Sequence, residues 1–160
     1  MKTKEKVLIS KGIDKVKLEK FLEAIQLFDR VLEINPESVD AWNNRGVALY
    51  RLGKTEEALD CYDRALKIDP GFLEAWRNKG FVLRSLERFE SALECYDRVI
   101  AAEEDPSDLR YRASVLVGLG RLEEAMECLM EAASIEPSRV IEEEITFLRM
   151  MINGSEKNEP

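Results

Sequence analysis

Apolar residues recur along this chain three or four positions apart, the spacing of one face of an α-helix, in short stripes separated by turn signals. One stripe holds Val39, Trp42, Gly46, Leu49 and Leu52; after Gly53 a second holds Ala58, Leu59, Tyr62, Ala65 and Leu66. Asp69-Pro70 closes the second stripe, because proline lacks the backbone donor of a continuing helix and pushes its predecessor out of the α region. Gly53 permits a left-handed C-cap, and Glu56 and Glu57 set carboxylates in the first turn of a new helix, where its dipole favours them. The pattern predicts a helix hairpin. Small residues at Gly46, Ala58 and Ala65 mark close approach of the two helices, with Trp42 and Tyr62 filling the space beside them.

The hairpin repeats. Cys61, Cys95 and Cys128 are spaced by 34 and 33 residues, and aligning them aligns their surroundings. Trp42-Asn-Asn-Arg-Gly46 recurs as Trp76-Arg-Asn-Lys-Gly80, and Ala58-Leu-Asp-Cys-Tyr-Asp-Arg as Ala92-Leu-Glu-Cys-Tyr-Asp-Arg. Leu119-Gly-Arg-Leu-Glu-Glu-Ala125 echoes Leu52-Gly-Lys-Thr-Glu-Glu-Ala58, and a step back from Ala58, Tyr62, Pro70 and Gly46 reaches Ala24, Phe28, Pro36 and Gly12. The chain reads as four units, about 5–38, 39–72, 73–105 and 106–139. A single hairpin cannot bury both faces, so the units are expected to stack.

The second unit, with Trp42, Gly46, Leu49, Ala58, Tyr62, Ala65 and Pro70, resembles the tetratricopeptide repeat family, and the resemblance covers residues 5–139. It implies an all-α, right-handed superhelix of four helix-turn-helix repeats. The first unit departs from the pattern with Leu8 and Lys15, and the third with Val99 and a Pro106 that comes two residues late. The fourth has Leu109, Ala113 and Leu129. Residues 140–152 predict one further helix, with Ile141, Ile145, Leu148 and Ile152 on one face. It is read as a C-terminal cap that Asn153-Gly154 ends, with 153–160 a disordered tail; nothing similar precedes the first unit.

Charge is divided between the helices. The first helices of units two to four carry Arg45, Arg51, Arg77, Lys79, Arg84, Arg110 and Arg112 against Asp40, Glu74 and Asp108, while the second helices are acidic. In the family the first helices line a concave groove. Carrying its positions over gives Asn43, Asn44, Val47, Tyr50 and Arg51, then Arg77, Asn78, Phe81 and Arg84, then Arg110, Tyr111 and Ser114. Amides can pair with an extended backbone, guanidinium groups with carboxylates, and aromatic faces with apolar side chains. The Lys/Asn/Asn/Lys/Arg clamp that binds chaperone C-termini is absent: beside Asn44 and Asn78 stand Asn43, Val47, Ser107 and Tyr111, and the other frame begins with Ile9 and Ile13.

Just before the small residue of each first helix stands a cation, Lys11, Arg45, Lys79 or Arg112, where the family usually has leucine. Asp29, Asp63 and Asp97 recur on the second helices. A ladder Asp29–Arg45, Asp63–Lys79, Asp97–Arg112 is therefore expected.

The net charge of −8 disfavours nucleic-acid binding, which needs a basic surface. No apolar run approaches the roughly 20 residues that cross a bilayer, and Val7-Leu-Ile9 is too short for a signal peptide, so a cytoplasmic location is expected. There is no histidine, the three cysteines form neither a paired framework nor a metal pattern, and no phosphate-binding loop is present. The sequence thus predicts no enzyme, metal site or cofactor. It predicts an adaptor that holds a peptide or protein segment of acidic or C-terminal carboxylate character in its groove. The alternative is a structural protein that self-associates or docks end-on through Val7, Leu8, Ile9, Ile13 and Val16 of an uncapped first hairpin.

Overall fold

The computed structural model describes residues 2–156. Among these there is no strand, and the order is α1 (Lys2–Lys17), α2 (Phe21–Ile34), α3 (Val39–Arg51), α4 (Thr55–Ile68), α5 (Leu73–Ser85), α6 (Phe89–Ala102), α7 (Pro106–Gly118), α8 (Leu122–Ile135) and α9 (Arg139–Glu156). The chain falls into two compact units, Met1–Val82 and Leu83–Pro160, divided within α5.

In the first unit α1 pairs with α2 and α3 with α4, and α2 also packs on α3. Close approach is made by ring against glycine. A Cβ built on Gly12 would lie 2.4 Å from Cε1 of Phe28, and one on Gly46 would lie 2.6 Å from Cε1 of Tyr62. Val31, Leu8 and Ala41 form one buried cluster; Ala24, Phe28 and Ala48 form another; Ala65, Leu66 and Ala75 join α4 to α5. The indole Nε1 of Trp42 donates to the Pro36 carbonyl at 2.8 Å, and that of Trp76 to the Pro70 carbonyl at 2.9 Å. The proline that stops one hairpin thus anchors the aromatic residue of the next.

In the second unit α7 pairs with α8, while α6 packs on α7 and α8 on α9. Leu109, Ala132 and Ile141 form its buried cluster, with Ile100 and Ile145 against it. Pro106 is not a late stop signal for the preceding hairpin. It is the first residue of α7, where its missing N–H costs nothing, and the Asp105 side chain caps the helix by accepting from the Ser107 amide at 2.8 Å.

The hairpin turns share one geometry. Glu19, Gly53, Glu87 and Gly120 all have positive φ, 57°, 78°, 57° and 73°. In each turn that residue's amide bonds three back and the next amide five back, as Gly53 N to Tyr50 O and Lys54 N to Leu49 O. This is a Schellman cap, and glycine suits its left-handed residue. Two of the four turns put a glutamate there instead.

The last helix differs from its expected extent. It begins at Arg139 and runs through Asn153 and Gly154 to Glu156, past the stop signal read in the sequence. A glycine near a helix end costs only about 1 kcal/mol, which does not stop a helix when other residues extend it. The remainder of the expected tail, 157–160, lies outside the described residues.

Candidate functional site

The first-helix side of the first unit carries Val47, Tyr50 and Arg51 from α3 and Asn78 and Phe81 from α5, around a concavity of about 420 Å³ floored by Tyr62 and Val82. Tyr50 meets Phe81 edge to face, centroids 5.8 Å apart. Phe81 is 38% exposed. Burial raises the Tyr62 hydroxyl above the usual tyrosine range, so the floor presents a neutral phenol.

The three amides expected to read a guest's backbone are engaged. Asn43 is buried, and its Oδ1 accepts from Nδ2 of Asn78 at 2.9 Å, tying α3 to α5. Asn44 Nδ2 donates to the Asp40 carbonyl one turn back. Arg51 is exposed at the rim of the concavity and Arg77 is half-buried on α5.

The second unit gathers Arg84, Tyr111 and Ser114. The Arg84 guanidinium lies 5.5 Å from the Tyr111 ring centroid, and its Nη1 donates to Ser114 Oγ at 3.0 Å. Tyr111 in turn stacks on Tyr96 at 5.9 Å. Arg110 departs from expectation. Its Nε and Nη2 donate to the two carboxylate oxygens of Glu144 on α9 at 2.8 and 2.6 Å. The hydrogen bonds to Glu144 raise the guanidinium's already high pKa, so the pair stays ionised.

This contact shows what the sequence reading missed. α9 is more than a solvating cap, because it repeats the register of a first helix. Ala41, Ala75, Asp108 and Ile141 are buried at one position, and Ala48, Val82, Val115 and Leu148 at another. In that register Phe147 follows Val47, Phe81 and Ser114, and Met150 follows Tyr50, Arg84 and Val117. Phe147 and Met150 are 65% and 69% exposed. The signal was the step of 33 from Val115 to Leu148. Asp108, one of the acidic residues counted on the first helices, is buried.

The charge ladder is present. Asp29 Oδ1 accepts from Arg45 Nε at 2.7 Å, Asp63 Oδ1 from Lys79 Nζ at 2.6 Å, and Asp97 Oδ1 from Arg112 Nε at 2.7 Å. Arg45 and Lys79 also lie over Trp42 and Trp76, at 6.0 and 5.7 Å from the ring centroids. All three cysteines are buried; Arg45 Nη1 donates to Cys61 Sγ at 3.2 Å and Arg112 Nη1 to Cys128 Sγ at 2.9 Å.

The α1 end is less apolar than expected. Leu8 is buried, and Ile9, Ile13 and Val16 pack into the core clusters, leaving Val7 as the one exposed member of that set. Asp14, exposed, takes the place that Ala48, Val82 and Val115 hold in the later first helices. A carboxylate there adds charge to the face on which Val7 is exposed.

Among the described residues no helix is long and apolar enough to cross a membrane, and no group of His, Cys, Asp or Glu is placed to hold a metal ion.

Comparison with known proteins fits this geometry. Models of the tetratricopeptide repeat match residues 39–72 and residues 73–106 and 112–139, and a model described as TPR repeat matches 14–53. Among solved structures the chain is similar to MamA 41-end from Desulfovibrio magneticus RS-1, with 21% identity, TM-score 0.86, and 94% of this chain and 86% of that one covered. It is similar also to a MamA RS-1 ArsTM double mutant, with 21% identity, TM-score 0.84, and 92% and 84% covered. A third is titled "Crystal structure of MamA protein", with 19% identity, TM-score 0.81, and 92% and 82% covered. At these identities the likeness is one of fold. No curated protein matches the chain in sequence. The chain is an all-α tetratricopeptide solenoid and belongs to the tetratricopeptide repeat family.

Proposed function

We propose that this protein-interaction scaffold is non-catalytic and that its first-helix faces hold a segment of another protein. The observation that carries this reading is the distribution of side chains on the first unit. Tyr50, Phe81 and Arg51 stand around an open concavity on the first-helix side, while α4 turns Asp60, Asp63 and the first-turn pair Glu56 and Glu57 to solvent. Aromatic and arginine side chains contribute most per residue to protein interfaces, so the interface belongs on α3 and α5.

Arg51 favours a carboxylate in the guest, and the Tyr50–Phe81 pair an apolar residue beside it. The end-on alternative is narrowed to one residue: Leu8, Ile9, Ile13 and Val16 pack inside, and the exposed Val7 stands among Lys4, Lys11 and Asp14.

Peptides selected on the wild-type protein from a random display library provide the test. Arg51→Glu and Phe81→Ala should each weaken binding of those peptides about tenfold or more, with the helical circular dichroism unchanged. Peptides that bind both variants as well as wild type would rule the face out.

A further inference from the structure

A pocket in the second unit opens between α7 and α9, with a volume of about 130 Å³. Its walls are Ala113, Val117, Leu129, Leu148 and Phe147, and Ser114 lies at its edge. The one cation beside it, Arg110, already holds a carboxylate, because Glu144 occupies both of its forked donors.

We propose that this pocket seats a single apolar side chain of the bound segment, of leucine, methionine or phenylalanine size, and that Glu144 makes it reject acidic residues. The inference rests on the first-helix faces being the binding faces. It assigns the second unit a specificity opposite to the carboxylate preference of Arg51 in the first.

Three observations carry it. The size is right: an apolar protein cavity of roughly 150 Å³ takes up benzene, so this one accommodates one side chain and no more. The electrostatics are right as well. A guest carboxylate would have to displace Glu144 from a bidentate pair or lie beside it, and like charges at that distance repel; an apolar group meets no such opposition. Third, the lining is left open on the helix whose register makes it part of the binding face. Phe147 is 65% exposed at the position that Val47 and Phe81 occupy in the first unit, where they line the first concavity.

The test uses the full chain and two probes, acetyl-leucine methylamide and acetyl-aspartate methylamide, followed by amide shifts in nitrogen-15 spectra. The leucine probe should bind saturably with a Kd on the order of millimolar, shifting amides of α7 and α9. Phe147→Ala, an exposed truncation, should weaken it about tenfold while the melting curve holds. The aspartate probe should leave α7 and α9 unmoved in the wild type and gain binding there in Glu144→Ala, which releases Arg110.

Equal response to both probes in the wild type would overturn the proposal. So would a leucine affinity indifferent to Phe147→Ala, or an aspartate probe that ignores Glu144→Ala. Leucine-probe shifts confined to α3 and α5 would remove the α7–α9 pocket while leaving the general reading in place. That reading fails separately, if library-selected peptides bind the Arg51→Glu and Phe81→Ala variants unimpaired.

Discussion

Arg110 on α7 grips Glu144 on α9 through two parallel hydrogen bonds, 34 residues apart in sequence. The pair fastens the last helix to the face that it extends. Its side chains are 33% and 38% exposed, so solvent screens the attraction. A double-mutant cycle over Arg110→Ala and Glu144→Ala should give a coupling energy of about 0.5–1 kcal/mol, the upper part of the range for solvent-exposed pairs, falling as salt is added. A coupling of zero at low salt would mean that the fork holds nothing.

Gly46 is required by the ring above it. Glycine to alanine inside a helix ordinarily stabilises by about 1 kcal/mol, so the sign of this substitution is informative. Here the new Cβ would meet Cε1 of Tyr62 at 2.6 Å and Cδ1 at 3.0 Å, so the buried ring would have to shift. Gly46→Ala should destabilise by about 1–3 kcal/mol. Urea unfolding checks it, and a raised midpoint would contradict the packing described.

Glu19 and Glu87 are the reverse case, side chains where the backbone asks for none. Both have φ of 57° at the position that Gly53 and Gly120 fill in the other turns. A left-handed conformation costs an ordinary residue roughly 1–2 kcal/mol, offset in part by the greater freedom of glycine in the unfolded chain. Glu19→Gly and Glu87→Gly should each stabilise by about 0.5–1 kcal/mol, and Gly53→Ala should do the opposite. Calorimetric melting of the three variants decides it; a lower melting point for both glutamate replacements would be inconsistent with these turns.

Burial pushes the thiols of Cys61 and Cys128 up from their ordinary value, against the opposing pull of Arg45 and Arg112. A group whose folded pKa is raised keeps its proton in the native state after the unfolded chain has lost it. The unfolded state then binds fewer protons, and stability falls with rising pH. The contribution is complete below the unfolded thiol's pKa of about 8.5 and declines above it. Unfolding free energy should drop between pH 8 and pH 10, and Cys61→Ala with Cys128→Ala should flatten that drop. An undiminished slope in the double variant would assign the loss elsewhere.

The repeat and its chemistry were legible because the packing is local and periodic. Ring opposite glycine, and an aspartate on α2, α4 and α6 within reach of the cation on the next first helix, recur every 33 or 34 residues; three cysteines sufficed to find the repeat. The ladder Asp29–Arg45, Asp63–Lys79 and Asp97–Arg112 could therefore be written down in advance, although such pairs contribute only about 0–1 kcal/mol each.

What could not be read was the competition for partners on the binding face. Asn43 and Asn78 are identical in type to side chains that contact a guest, and nothing in the sequence says that they bond each other. Arg110 is likewise expected to be open to a ligand when the last helix is read only as a cap, and Glu144 takes it instead. The residues at its end misled in a related way: Asn153-Gly154 resembles a stop, yet α9 continues to Glu156.

The binding face is defined by where a guest lies. Amide shift mapping of the nitrogen-15 protein with a peptide selected from a random library tests this directly. Within whichever unit the peptide occupies, the largest changes should fall on the first-helix face: around Tyr50 and Phe81 on α3 and α5, or around Ser114 and Phe147 on α7 and α9. Changes concentrated instead on the acidic second helices α4, α6 and α8, with those four residues silent, would contradict it.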